Sequence, residues 1–306
     1  MTRGNTADHT NMANNMRSFI GKKHIERESL LRNTWRRLLR NKMAVVGLIL
    51  IIVLTLLAIF AGTVSPYDPY QQSFREKLQP PNAAHLLGTD ELGRDMLSRL
   101  IYGARISLSV GLISQFIAVI IGIIVGAVAG YFGGRVDNYL MRLTDMMFAF
   151  PDLLFAMGIM FALGPGLINL FIALGIVGWA GMARLVRGQV LSLREREFIE
   201  AARAIGESDF RIIMRHVLPN CMAPIIISVT LGIPGAIMAE AGLSFLGLGA
   251  QPPLSSWGQM IAFGKAWMRS APWLSIYPGL AIMITVLAFN LFGDGLRDAL
   301  DPRLKD

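Results

Sequence analysis

Two glycine-spaced stretches have the outline of reactive loops. Gly88-x4-Gly93-Arg94-Asp95 carries the glycine spacing of a phosphate cradle, in which backbone N–H groups hold an anion. It lacks the Lys and Ser/Thr that would contact phosphate and Mg²⁺, which excludes that chemistry. Gly242-Leu243-Ser244-Phe245-Leu246-Gly247 stands one residue away from a serine-hydrolase elbow, but it lies in an apolar block and no His/Asp partner set accompanies it. The four histidines, His9, His24, His85 and His216, are scattered without metal-ligand spacing, and a single cysteine excludes a disulfide framework. There remain three carboxylates in apolar surroundings: Asp145, Asp152 beside Pro151, and Glu240. A carboxylate in hydrocarbon costs about 2.5–3.5 kcal/mol, so each should face protein or a watery path. Asp152 and Glu240 are candidates for bordering a translocation route; internal pairing that only fixes helix packing is the simpler account.

The elements that must hold these residues follow from composition. The chain has 306 residues, 53% of them hydrophobic and only 16% charged, with mean hydropathy +0.49. A soluble protein would carry about 25% charged residues. The apolar residues fall in long blocks: Met43–Val64 runs 22 residues without a charge, Ile106–Phe132 runs 27, and Leu274–Gly293 runs 20. About 20 such residues cross about 30 Å of hydrocarbon as a helix. Leu153–Ala183, at 31 uncharged residues, is too long for one span. Gly164-Pro165-Gly166 divides it into spans at roughly Leu143–Leu163 and Leu167–Arg187. Cys221–Gly249 supplies another span, expected to bend where Pro224 and Pro234 remove backbone donors. An all-α polytopic membrane protein with six spanning helices is predicted. The first apolar block has full spanning length and follows a long polar lead, which argues against a cleavable signal.

Basic residues orient the spans. The segments expected inside hold 22 of the 29 Lys and Arg residues, against seven in the alternate set, 65–105 and 250–277. Both termini and the loop 188–218 are therefore predicted to be cytoplasmic, with 65–105 extracytoplasmic. The expected organisation is a cytoplasmic N-terminal segment over 1–42, a first span over 43–64, the outer loop 65–105, a five-span core over 106–293, and a cytoplasmic tail over 294–306. Residues 1–28 are polar and lack hydrophobic period. Ser29–Lys42 places Leu30, Leu31, Trp35, Leu38 and Leu39 on one helical face and Arg32, Arg36, Arg37, Arg40 and Lys42 around the rest, with Ser29 as cap. Such a helix should lie on the anionic inner leaflet, with docking of a protein partner as the alternative. Gly122, Gly126 and Gly130 form a stripe for close helix packing, within the chain or against a second subunit.

The loop 188–218 is far longer than a connector needs to be. Ser192–Ala204 is rich in helix formers, and Gly206 can end the helix in a left-handed conformation. Phe210, Ile213, Met214 and Val217 give a second short amphipathic segment, expected to stop at Pro219. Glu200-Ala201-Ala202-x3-Gly206-x9-His216-x-Leu218-Pro219 resembles the EAA motif of binding-protein-dependent ABC importer permeases. That family usually has isoleucine where His216 stands, so the motif assigns His216 no role. Gly88-Thr89-Asp90-Glu91-Leu92-Gly93-Arg94-Asp95, Leu97 through Arg105, Glu240 through Gly249, Pro252-Pro253 and Ser256-Trp257-Gly258 resemble the C-type permease of the oligopeptide, dipeptide and nickel branch.

The resemblance implies a type I ABC importer permease fold and a non-catalytic subunit taking up di- or oligopeptides. It implies a second permease subunit, two cytoplasmic ATPases that hold the ATP and Mg²⁺, and an extracytoplasmic binding protein that delivers cargo; no cofactor is expected in this chain. Glu200, Ala201, Ala202, Gly206, Phe210, Leu218 and Pro219 are then the ATPase-coupling candidates, although Ala201 and Ala202 could simply pack against the spans. The outer loops, with Trp257, Trp267 and Trp273, are candidates for docking the binding protein. A nickel or other small-solute importer of the same branch is the alternative. A secondary transporter would usually show repeat halves, and none is clear. A membrane enzyme would need a catalytic set such as His-Glu-x-x-His, and none is present.

Overall fold

The computed structural model describes residues 30–301. The polar lead 1–28, the Ser29 cap and residues 302–306 of the expected tail lie outside the described residues. Helix α1 (Leu30–Arg40) leads into α2 (Lys42–Ile59), and Asn41 caps α2 by accepting from the Met43 and Ala44 N–H groups at 3.1 and 3.2 Å. A short α3 (Ala61–Val64) precedes the loop 65–95, which includes a 3₁₀ turn at Phe74–Glu76. Then come α4 (Met96–Phe132), α5 (Gly134–Phe148), α6 (Asp152–Leu163) and α7 (Leu167–Leu193). Helix α8 (Glu197–Ala204), α9 (Asp209–Ile212) and a π turn (Ile213–Val217) lead into α10 (Leu218–Phe245). Helix α11 (Trp257–Gly264), a 3₁₀ turn (Lys265–Trp267) and α12 (Trp273–Leu300) complete the order.

Among the described residues, five helical stretches are long and apolar enough to cross a membrane: α2, α4, α7, the run Asp209–Phe245, and α12. Helices α5 and α6 together make a sixth if a broken pair is counted as one span. This corrects the expectation of a single helix over Leu143–Leu163, because α5 and α6 meet at 92°. Pro151 has no N–H for the ladder and disfavours helix at Phe150 before it, so the chain turns there.

Helix α4 also begins ten residues before the expected span, at Met96, and its 37 residues make a rod about 55 Å long. The cause is local: the Asp95 carboxylate accepts from the Ser98 N–H at 2.8 Å and the Ser98 hydroxyl at 2.7 Å, and this cap starts the helix inside the polar segment. At the other end, α12 continues to Leu300, through the first residues of the tail expected over 294–306.

The packing centre is the α4–α7 pair. A Cβ added to Gly122 would lie 2.5 Å from the Met182 Cβ, one on Gly126 would lie 2.5 Å from the Ala183 carbonyl oxygen, and one on Gly130 would lie 2.8 Å from the Val190 Cβ. The stripe therefore serves contact within the chain. Gly175 answers from α7, where an added Cβ would lie 2.6 Å from Ile117. Backbones this close gain dispersion contact that larger residues would prevent. One end of the bundle carries the loop 65–95 with α11, and the opposite end carries α8 and the π turn.

Candidate coupling surface and the opposite cap

Helix α8 puts Glu197 and Glu200 in its first turn and Arg203 in its last, the charge order that favours a helix dipole. Its end is a Schellman closure. Gly206 takes φ +81°, its N–H donates to the Arg203 carbonyl at 3.0 Å, and the Glu207 N–H reaches back to the Ala202 carbonyl at 3.1 Å. Glycine is required there because left-handed backbone strains a residue that carries Cβ.

One face of this hairpin is buried and the other is bare. Ile199, Ala202, Ile212 and Val217 sink into a cluster with Val186 and Val190 of α7 and Ala127 and Tyr131 of α4. Outward, Ile205 is 80% exposed and Phe210 is 74% exposed, with Phe198 and Met214 beside them in the same class. Of the sequence-predicted coupling residues, Glu200, Ala201, Gly206, Phe210 and Pro219 are exposed, Ala202 is buried and Leu218 is half-buried.

Two expectations for this segment are corrected. Pro219 does not stop a helix; it stands in the first turn of α10, where its missing N–H is tolerated, and the helical run continues from Asp209 to Phe245. The amphipathic face expected from Phe210, Ile213, Met214 and Val217 is also split. Val217 points inward as expected, but Ile212 joins it in place of Phe210 and Met214, across a π turn whose i→i+5 bonding widens the helix.

Polar bonds fix the hairpin to the bundle. The Tyr131 hydroxyl donates to Asp209 Oδ1 at 2.7 Å, and the Arg203 guanidinium lies 5.1 Å from the centre of the Tyr131 ring. His216 Nε2 lies 2.8 Å from Glu207 Oε2, tying the π turn to the residue after Gly206. Arg187 grips Asp137 with two bonds, at 2.5 and 2.6 Å, and joins α7 to α5. Arg184 pairs with Asp145 at 2.6 Å, so one of the three apolar-block carboxylates is an ion-pair partner.

At the opposite end, Gly88–Asp95 forms a closed polar knot. Asp90 accepts from the Leu92 and Arg94 N–H groups, from Arg94 Nε at 2.6 Å, and pairs with Arg99 Nε at 3.3 Å. His85 Nδ1 lies 3.0 Å from Asp95 Oδ1, and the Thr89 hydroxyl donates to the Glu76 carbonyl. Trp273 Nε1 donates to the Thr89 carbonyl at 3.2 Å, so this ring clamps the knot to α12.

Glu240 is fully buried, and the hydroxyls of Ser244 and Ser256 donate to its Oε1 at 2.5 and 2.6 Å. Ser256 in turn caps α11 by accepting from Gln259 N–H at 3.1 Å. Asp152 is exposed in the first turn of α6. The two route candidates thus stand in opposite environments. Trp257, a docking candidate, is 1% exposed; its ring N–H donates to the Leu100 carbonyl at 2.9 Å and its backbone N–H to Ser107 Oγ at 3.0 Å. Its ring is thereby held off the surface, whereas Trp267 is 37% exposed.

Residues 118–306 match the family described as "Binding-protein-dependent transport system inner membrane component", and residues 29–81 match "N-terminal TM domain of oligopeptide transport permease C". The chain belongs to this permease family. Within it, the chain is 47% identical over 274 residues to the dipeptide transport system permease protein of Alkalihalophilus pseudofirmus, covering 90% of each. It is 47% identical over 284 residues to the di/tripeptide transport system permease protein of Pseudomonas aeruginosa, covering 91% of this chain and 94% of that one. It is 47% identical over 272 residues to a glutathione transport system permease protein of Escherichia coli, covering 89% and 90%. Among solved structures, the inward-facing MetNI methionine ABC transporter shares the fold, with TM-score 0.53 at 18% identity, over 67% of this chain and 98% of that one. The chain is a multi-pass permease of the ABC importer type, with the type I importer fold.

Three features of this permease escape sequence reading. Ile205, the most exposed large apolar residue among those described, lies between the motif residues and is marked by no spacing. The Tyr131–Asp209 bond joins residues 78 positions apart. The His216–Glu207 pair joins residues nine positions apart across the turn at Gly206, and no motif marks it.

Proposed function

We propose that this chain is one half of the translocation pathway of an importer for di- and oligopeptides, and that α8 with the π turn is the lever through which cytoplasmic ATPases move it. A second permease subunit would complete the path, two ATPases would bind ATP and Mg²⁺, and an extracytoplasmic binding protein would deliver cargo. Both termini and α8 would face the cytoplasm, in keeping with the 22-to-7 distribution of basic residues. Three relatives whose names specify dipeptides, di/tripeptides or the peptide glutathione support peptide cargo.

The observation that carries this function is the two-faced hairpin. Ile205 and Phe210 are bare on a segment whose other face is locked by Ile199, Ile212 and Val217. A handle must be gripped on one side and rigid on the other for closure of a partner to reach the spans. Exposed apolar side chains on a bonded framework meet both needs. On the opposite side, the loop 65–95 and the region of Trp267 and Trp273 would receive the binding protein. Asp152, exposed at the α5–α6 bend, is the better placed of the two route candidates; Glu240 supports the packing of α10 on α11.

Co-purification tests the assignment. Tagged chain expressed with the ATPases should retain them, and a Phe210→Asp, Ile205→Asp double variant should release them while still inserting in the membrane. Retention of the ATPases by the double variant would remove the lever from this hairpin.

A further inference from the structure

Helix α1 belongs to neither the lever nor the polar knot, yet it is fastened to the bundle. Leu38 is 3% exposed and packs with Ala44 of α2 and Ala299 of α12, and Arg37 reaches the Asp301 carbonyl oxygen at 3.5 Å. Asn41 is extended, at φ −81° and ψ 100°, so α1 does not run on along the axis of α2. What α1 turns outward is apolar and basic together. Trp35 is 52% exposed; Leu39 and Met43 follow at four-residue steps, also exposed, and the row passes onto Val46, Ile49 and Val53 of α2. Arg36 and Arg40, each one position beyond Trp35 and Leu39, lie exposed on the flank away from Leu38. Lys42 is exposed too, and neither it nor Arg40 makes an ion pair among the described residues.

We propose that α1 is a seat for anionic phospholipid, with Trp35 and Leu39 at the acyl boundary and Arg36, Arg40 and Lys42 among the headgroup phosphates. Two observations select lipid as the occupant of this face. The first is continuity: the row from Trp35 extends the exposed face of α2, which is long and apolar enough to cross a membrane, so the bilayer that covers Ile49 and Val53 also reaches Leu39. The second is charge. Residues 30–42 hold five basic residues and no acidic one, and the adjoining end of α12 adds Arg297 against Asp294, Asp298 and Asp301. Basic groups beside the surface are drawn to anionic headgroups, and an indole suits the boundary between headgroup and chain. Because Leu38 ties α1 to both α2 and α12, lipid held there fixes the first and last spans at one level of the bilayer.

The test places the complete importer in phosphatidylcholine nanodiscs containing a graded fraction of dibrominated phosphatidylcholine or dibrominated phosphatidylglycerol, and reads tryptophan quenching. The quenching lost in Trp35→Phe is that of Trp35. In wild type both lipids should quench Trp35, the phosphatidylglycerol at an about tenfold lower mole fraction. An Arg40→Gln, Lys42→Gln double variant should lose at least about fivefold of that preference, the scale of one basic group near an anionic surface, while both lipids still quench. Arg40→Lys with Lys42→Arg should keep it. Neither side chain is bonded to another described residue, so both variants should fold. A Trp35 that neither lipid quenches would mean that protein covers this face. That result, equal quenching by the two lipids, or an unchanged preference in the double variant would each overturn the seat. The nanodisc presents the same lipids on both faces, so the outcome does not depend on the cytoplasmic orientation proposed above.

Discussion

The Tyr131 hydroxyl donates a 2.7 Å hydrogen bond to Asp209 Oδ1, joining the last turn of α4 to the first residue of α9. Helix α4 runs 37 residues and packs along α7, so a displacement of the hairpin would pass through this bond into the centre of the bundle. Arg203, over the face of the same ring, adds a contact from α8. Tyr131→Phe should lower the uptake obtained per ATP hydrolysed by the reconstituted complex while ATPase binding persists. A double-mutant cycle with Asp209→Asn should show coupling of about 0.5–3 kcal/mol, as expected for residues in direct contact. A stoichiometry unchanged by Tyr131→Phe would show that the bond transmits nothing.

Gly206 offers a test of geometry apart from surface chemistry. Its φ of +81° means that Gly206→Ala should cost about 1–2 kcal/mol locally, and Gly206→Asn less, because asparagine enters the left-handed region more readily. Nothing lies within 4 Å of an added Cβ, so steric contact does not confuse the comparison. Gly206→Pro should be worst, since it also removes the N–H that donates to Arg203. Protease nicking of the hairpin in inverted vesicles should rise in the order Gly, Asn, Ala, Pro. An alanine variant as resistant as wild type would refute the closure.

Glu200 stands exposed on the same helix, where it makes no ion pair among the described residues. Glu200→Lys should leave the hairpin folded and the protein in the membrane, yet uncouple ATP hydrolysis from uptake by reversing charge at the docking face. Normal uptake by this variant would place the ATPase contact elsewhere.

Much of this architecture is legible from residue types, and the exceptions have physical causes. Uncharged runs reveal spans because hydrocarbon penalises charge wherever it occurs, and Gly206 reveals a helix end because few residues tolerate its backbone. Hydropathy, however, counts residues without giving direction. The run Leu143–Leu163 reads as one span, although Pro151 turns the chain by 92°. Periodicity assumes an α-helix, so across the π turn at Ile213–Val217 the expected Val217 is buried, but Ile212 joins it in place of Phe210 and Met214. Trp257 reads as a surface aromatic because its anchors, Ser107 and Leu100, lie 150 and 157 residues away. For the same reason Glu240 cannot be seen to bond Ser256 from spacing alone, whereas Ser244, four residues on, could have been noticed.

The α4–α7 seam predicts a contrast between two glycines. A Cβ on Gly126 would lie 2.5 Å from the Ala183 carbonyl oxygen and 2.8 Å from the Val186 Cβ, so Gly126→Ala must push the paired backbones apart. Overpacking of this kind costs about 1–3 kcal/mol. Gly181, on α7, has nothing within 4 Å of an added Cβ, and Gly181→Ala should be neutral or mildly stabilising. Thermal unfolding in detergent should place Gly126→Ala below wild type and Gly181→Ala at or above it. Equal midpoints for the two variants would show that the seam is loose enough to yield.

Asp90 predicts the steepest loss. Its carboxylate neutralises Arg94 and Arg99, and both guanidiniums are nearly as buried as it is. Removing Asp90 leaves Arg99 without its ion pair and Arg94 with Glu91 alone, at 3.2 Å, and breaking a buried pair in this way costs about 3–5 kcal/mol. Asp90→Ala should therefore open the knot Gly88–Asp95, weaken the Trp273 clamp on Thr89, and expose the loop 65–95 to protease in intact spheroplasts. Asp90→Asn keeps acceptors for the Leu92 and Arg94 N–H groups but removes the charge, so its loss should be intermediate. Replacing the three partners together, Asp90→Leu with Arg94→Met and Arg99→Met, should recover protease resistance if uncompensated charge is the cause. A triple variant as labile as Asp90→Ala would assign the stability instead to the backbone hydrogen bonds that Asp90 accepts.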